Sequence, residues 1–160
     1  MGSLYPALKA LRESSVSKLL YLTARTTGQS VAEKAIRQLR NAGLKLRTVQ
    51  LTAKEKTCFN PDRACNGEEC EYAKGYYDRV DGALQEISPA ELMNRAVIES
   101  AAARHRVCPF ELALDALKRS DLVICDYNYA FDPRAFLRRV VLDRDAPFTV
   151  IVDEAHNLVY

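Results

Sequence analysis

Four short runs of Val, Ile, Leu and Tyr constrain this chain more than any other feature. They occupy residues 18–24 (KLLYLTA), 46–51 (LRTVQL), 122–127 (LVICDY) and 148–153 (FTVIVD). A strand with one face in water alternates apolar and polar residues. A run with little alternation needs cover on both faces, which is the environment of a parallel sheet. Parallel neighbours in turn require crossover helices, and the sequence signposts three. Between the first two runs, Ser30-x-x-Glu33 reads as a capping box, Ala32, Ala35, Ile36 and Leu39 form an apolar stripe, and Gly43 supplies a stop. A second helix is predicted from Pro109 through Leu112, Ala113, Ala116 and Leu117, and a third from Asp132-Pro133, with Asp as N-cap and Pro at N1. The expected class is therefore α/β, a parallel sheet with flanking helices built from right-handed βαβ units.

Residues 54–107 break this rhythm. They hold Cys58, Cys65 and Cys70, the turn pairs Asn60-Pro61, Asn66-Gly67 and Asp81-Gly82, several tyrosines, and no strong strand. One helix is predicted there, opening at Ser88-Pro89-Ala90-Glu91 and continuing through Leu92, Ala96, Val97 and Ala101. The segment reads as a small, mainly helical and irregular cysteine-rich insertion between two strands. A chain of 160 residues that is 48% hydrophobic and 28% charged belongs to neither the disordered nor the fibrous classes. No apolar run reaches membrane-spanning length. Residues 1–50 carry nine Lys/Arg against two Asp/Glu, whereas residues 51–110 carry eight against ten. The basic excess is thus confined to the start. Five cysteines without a secretory leader argue for a metal site in a reducing compartment rather than a disulfide framework. Cys125, inside an apolar run, reads as a small core residue.

The strongest short signal is residues 150–156, VIVDEAH. An apolar strand that ends in adjacent carboxylates delivers Asp153 and Glu154 to the C-terminal edge of a parallel sheet, where open α/β folds bind ligands. One carboxylate can hold Mg²⁺ through water while the next orients the water that attacks a nucleoside triphosphate.

DEAH after a strand, the cysteine-bearing insertion, Cys108-Pro109-Phe110, the stretch DYNYAFDP at residues 126–133 and LTARTTGQ at residues 22–29 occur in this order. Together they resemble the XPD/DinG-like iron–sulfur superfamily 2 DNA helicases, most closely their bacterial XPD-like members. The resemblance runs from about Leu4 onward. It implies a partial RecA-like motor domain 1 over residues 4–53 and 109–160, interrupted by an iron–sulfur insertion at 54–108. It also implies an ATP-dependent, 5′→3′ DNA helicase of repair or replication type. Its partners would be single-stranded DNA or a single-strand/double-strand junction, acting as a monomer in the bacterial cytoplasm near the nucleoid, without a membrane. Asp153 (Mg²⁺ through water), Glu154 and His156 would be catalytic, with ATP and Mg²⁺ as the parent protein's cofactors.

The cysteines are spaced C-x6-C-x4-C-x37-C, running Cys58, Cys65, Cys70, Cys108. Tight knuckles suit a single zinc ion, and looser loops suit a cubane spread over four iron corners, so spacing alone leaves both open. The resemblance implies a 4Fe–4S cluster on these four thiolates. Cys108 is expected to cap the Pro109 helix, where the macrodipole would lower its pKa. For DNA, the resemblance points to Arg25, Thr26 and Thr27 as backbone contacts, or a polar helix-entry loop on the residues alone. Tyr72, Tyr76 and Tyr77 interleave with Lys74 and Arg79, a pattern for base stacking and phosphate pairing, or for packing around the cluster. His105 reads as a surface residue. No glycine is followed by Lys, so no phosphate-cradling G-x-x-x-x-G-K-[ST] is present, and this chain alone is expected to lack ATP turnover. Two other classes compete: a non-enzymatic cysteine–metal module, with zinc or iron–sulfur, that binds nucleic acid or protein, and a redox sensor.

Overall fold

The computed structural model describes residues 4–13, 16–24, 26–131 and 147–158. In chain order its elements are α1 (Leu4–Arg12), β1 (Lys18–Thr23), α2 (Thr26–Asn41), β2 (Thr48–Gln50), α3 (Lys54–Thr57), α4 (Tyr76–Ile87), β3 (Leu92–Met93), α5 (Arg95–His105), α6 (Pro109–Leu117), β4 (Leu122–Asp126), α7 (Asn128–Phe131) and β5 (Phe148–Val152), followed by a 3-10 turn (Ala155–Leu158). The strands form one sheet in the order β3-β2-β4-β1-β5, and every pairing is parallel.

All four apolar runs are strands, and the reason for their continuous apolarity is visible in the packing. Leu20 and Leu22 of β1, Val49 of β2 and Val123 and Cys125 of β4 face α4, α5 and α6 in one core. Leu19, Leu122, Ile124 and Ile151 face the other way, against α1 and α2. Both faces are covered, which favours apolar side chains on each; the buried threonines Thr23 and Thr48 are the polar exceptions. Gly43 stands in the left-handed region (φ 94°) just past the end of α2, and Pro109 is the first residue of α6 with Cys108 as its N-cap.

Two helix starts differ from the sequence reading. The Ser30/Glu33 box lies inside α2, which begins a turn earlier at Thr26. Glu33 instead accepts from Arg37 at 2.7 Å and from Asn94 at 3.3 Å. Residues 88–91 are likewise turn and bend rather than helix, and Leu92 and Met93 enter the sheet as β3 beside β2. Both are buried there, and burial in the sheet outweighs the local cap. Asn94 is the true N-cap of α5, accepting from the Val97 amide at 3.2 Å. Asp81-Gly82, read as a turn, sits within α4. At Gly82 a Cβ would come within 3.1 Å of the His105 ring on α5, so the glycine admits close helix packing. The helix predicted at Asp132-Pro133 lies outside the described residues. The stretch 54–108 thus supplies one strand and two helices to the same core as the sheet.

The C-terminus of α6 is closed by a cation from the start of β1. The Lys18 ammonium donates to the carbonyl of Leu117, and to the Ser120 carbonyl at 2.6 Å and hydroxyl at 3.3 Å. A positive charge at a helix C-terminus satisfies unpaired carbonyls and opposes the helix dipole. Replacing Lys18 with Met is expected to lower unfolding free energy by about 1–3 kcal/mol, read by denaturant titration; an unchanged midpoint would remove this cap from the account.

Candidate functional site

Two groups of residues lie on the side of the sheet reached by the strand C-termini. The first is the cysteine pocket. α3 leaves β2 after three residues and ends at Cys58, whose amide donates to Lys54 at 2.9 Å. The chain then runs through turns. Asn66 accepts from the amides of Glu68 and Glu69 at 3.0 and 2.9 Å, and the Cys70 amide donates to the Asn66 carbonyl at 3.1 Å. Gly75, in the left-handed region (φ 63°), then starts α4. Cys108 arrives from the other side, at the start of α6.

The outcome is that Cys58, Cys65, Cys70 and Cys108, up to fifty positions apart, line one pocket of about 300 Å³ together with Lys54, Phe59, Asn60, Tyr72 and Tyr77. No disulfide joins them. Cys125, buried in β4, is remote from this lining, and burial pushes its thiol pKa up.

Charge and hydrogen bonding around the sulfurs are specific. Lys54 contacts Cys65, which raises the lysine pKa against the opposing effect of burial. The Asn60 amide reaches the Cys70 sulfur at 4.0 Å. Burial raises the Cys108 pKa; the amides of Phe110 and Glu111, at the helix start, pull it down and are outweighed. The expected lowering at this N-cap is therefore corrected, because desolvation of the thiolate exceeds the helix contribution. Among the described residues no three His, Cys, Asp or Glu side chains stand close enough to hold one metal ion. The sulfurs share a pocket without converging on one point.

The tyrosines and basic residues of the insertion divide by environment. Tyr77 is 85% exposed at the pocket rim, and Lys74 is also exposed. Tyr72 packs edge-on against Phe59, with centroids 5.1 Å apart. Tyr76 is only 7% exposed and donates to Asp115 at 2.9 Å; burial drives its pKa far up. Its ring is a core ring, which corrects the stacking role read for it. Arg79 is committed to backbone carbonyls rather than offered to phosphate. His105 pairs with Glu86 at 2.8 Å, on the surface as expected.

The second group is the carboxylate edge. The Asp153 amide donates to Leu22 at 2.9 Å, extending the β5–β1 ladder by one residue and fixing where that side chain leaves the sheet. Tyr21 hydrogen-bonds the Asp153 carboxylate; burial first, and this carboxylate second, raise the tyrosine pKa. Glu154 takes φ 48°, a left-handed conformation costly for a side-chain-bearing residue and often kept where a group must be aimed. His156 is exposed in the 3-10 turn. Thr26 and Thr27 open α2, but their side chains and all of Arg25 lie outside the described residues.

A second pocket, of about 330 Å³, lies at the ends of β2 and β4 between Gln29, Gln50, Lys56, Arg95, Asp126 and Tyr129. α3 contributes Lys56 to it and Lys54 to the cysteine pocket, so this single turn of helix walls both. Sequence reasoning missed Lys54, Asn60 and Tyr21. Only Lys54 carried a signal, one helical turn before Cys58.

An open parallel sheet with paired carboxylates at its C-terminal edge and a cysteine pocket beside it defines an α/β domain with two candidate sites along that edge. The chain belongs to the DEAD_2 family, which matches residues 22–159. It is similar to human Regulator of telomere elongation helicase 1 (23% identical over 158 residues, 91% of this chain and 12% of that protein). It is also similar to the homolog from Caenorhabditis briggsae (26% over 165 residues, 92% and 16%). The chain spans a small part of the length of these curated relatives. Two solved structures share the fold: a truncated XPD (TM-score 0.59, 17% identity, 98% of this chain and 45% of that one), and an XPD helicase (TM-score 0.61, 18% identity, 98% and 27%). The fold is that of an XPD-like superfamily 2 helicase.

The close approach at the carboxylate edge is testable. A Cβ on Gly28 would lie 3.0 Å from Thr23 Cβ and 3.6 Å from an Asp153 oxygen. Thr23 is buried and β-branched, so it cannot swing aside. Gly28→Ala is expected to cost about 1–3 kcal/mol of stability, measured by thermal unfolding; an unchanged midpoint would show that α2 yields freely there.

Proposed function

We propose that this chain is the part of an ATP-dependent, 5′→3′ DNA helicase in which motor domain 1 carries a 4Fe–4S lobe, with the lobe at residues 54–108. The observation that carries the reading is the gathering of Cys58, Cys65, Cys70 and Cys108 around one pocket in a chain of the DEAD_2 family. Four thiol donors match the donor chemistry of iron–sulfur centres, and they share the lining with Glu111. A cubane would take the four thiolates on separate iron corners, whereas a zinc ion would draw all four sulfurs to about 2.3 Å. When bound, the cluster supplies a rigid crosslink between the loop after α3 and the start of α6. Lys54 would offset part of the negative charge of the assembled thiolates.

At the carboxylate edge, Asp153 would hold Mg²⁺ through water, with Tyr21 fixing the carboxylate. Glu154 would orient the attacking water, and His156 would couple nucleotide state to the DNA-binding surface. Exposed Tyr77 and Lys74 beside the cysteine pocket form the patch for single-stranded DNA, Tyr77 by stacking and Lys74 by pairing with phosphate. Arg25, Thr26 and Thr27 would add backbone contacts.

Anaerobically purified protein is expected to be brown, with about four irons per chain. Serine at Cys58, Cys65, Cys70 or Cys108 should abolish this absorbance while Cys125→Ser retains it. Stoichiometric zinc with negligible iron would overturn the cluster reading. Binding of a labelled oligonucleotide should favour single strands and weaken as salt rises. Tyr77→Ala should cost about 1–3 kcal/mol of that binding. Tyr76→Phe should leave it unchanged and lower the thermal midpoint, since only the bond to Asp115 is lost. Equal affinity for Tyr77→Ala and the parent chain would remove the stacking role.

A further inference from the structure

Arg79, which the sequence offers as a phosphate partner, is used differently. Its Nη2 donates to the carbonyl of Lys74 at 2.5 Å, of Arg106 at 2.8 Å and of Glu71 at 3.2 Å. These three carbonyls belong to the two segments that bring cysteines to opposite sides of the pocket. Glu71 follows Cys70 directly, and the Lys74 amide donates to the Cys70 carbonyl at 2.9 Å. Arg106 stands two residues before Cys108 and closes α5 in the left-handed region, φ 54°. One guanidinium therefore ties the Cys70 turn to the Cys108 turn across 27 residues from Arg79 to Arg106.

All three carbonyls meet one nitrogen, Nη2, whose two N–H groups share them. The guanidinium is always charged, and charge-assisted bonds are the stronger kind. The site is closely built: a Cβ on Gly75 would lie 3.2 Å from Arg79 Nη1, and Arg79 Nε is buried without a hydrogen-bond partner. A second link joins the same segments, Arg106 to Glu71 at 2.6 Å, but both side chains are more than half exposed. A solvated pair of that kind contributes little on its own; the Arg79 bonds also face solvent, but they join two carbonyls on the Cys70 side to one on the Cys108 side.

We infer that Arg79 is a positioning residue that sets the distance between the Cys70 and Cys108 sides of the pocket, and so pre-organises it for whatever its thiols hold. The iron part of the following test rests on the cluster reading above; the cross-linking part does not.

The experiment compares the parent chain with Arg79→Met, Arg79→Lys and a control, Arg40→Met, which breaks the 2.6 Å pair to Glu91 elsewhere on the surface. In iron-free, reduced protein, a short bis-maleimide is used to join Cys70 to Cys108, and peptide mass spectrometry reads the yield well below the unfolding temperature of every variant. The yield should fall on the order of tenfold in Arg79→Met, recover in part in Arg79→Lys and stay unchanged in Arg40→Met. In anaerobically loaded protein, chelator-driven iron release should quicken on the order of tenfold in Arg79→Met and stay unchanged in Arg40→Met. If Arg79→Met does not fold, Arg79→Lys carries the comparison through its intermediate yield. Equal Cys70–Cys108 yields in the parent and the Arg79 variants overturn the inference, whatever the iron content. A reduced yield in a chain that takes up no iron supports the role of Arg79 and overturns the cluster reading instead.

Discussion

β1 is hydrogen-bonded to a parallel neighbour on each side, β4 and β5, and its side chains are buried above and below the sheet. With its backbone satisfied by ladders and both faces covered, the strand can carry almost nothing polar along its length. Apart from Tyr21, whose hydroxyl reaches Asp153, its polar positions fall at its ends. Lys18 at the start turns to cap α6, and Thr23 at the end is buried beneath Gly28. The same constraint on β4 places Asp126 where that strand emerges, and Asp153 follows the last residue of the edge strand β5. The functional edge is therefore a consequence of the burial: chemistry collects where the sheet stops excluding water.

The cysteine pocket depends on this sheet at second hand. β2 sets the origin of α3, and α3 sets the origin of the cysteine loop. On the far side, α4, α5 and α6 pack against β1, β2 and β4 in one apolar core, and that core holds α6, hence Cys108, in place. Tyr76 marks the junction, its ring in the core and its hydroxyl on Asp115 of α6. A lobe whose helices share the core of the sheet will move with it. α3 lines both the cysteine pocket and the polar pocket at the ends of β2 and β4.

Legibility in the sequence followed the range of the interactions. The strands were readable because burial on both faces leaves a one-dimensional trace, an unbroken apolar run. α6 was readable because Pro109 and its apolar spacing are local. The capping boxes at Ser30 and Ser88 were equally local in form, yet both failed. α2 starts at Thr26, a turn before its box, and β2 recruits Leu92 and Met93 as a strand, and neither outcome appears in the residues of the box. Gly82 misled for the same reason, since its cause, the His105 ring, lies on another helix.

The sequence by itself determined the α/β class, the strand set, the four-cysteine spacing and the acidic end of β5, because each is dictated by residue type over a few neighbouring positions. Only the tertiary structure decided that four cysteines spread over fifty positions line one pocket, that Lys54 and Asn60 attend them, and that Tyr77 rather than Tyr76 meets solvent. It also decided that Arg79 serves the backbone and not a partner. A side chain's chemistry is written in its identity, but its availability depends on which distant atoms reach it first, and those are chosen by the packing of helices on the sheet.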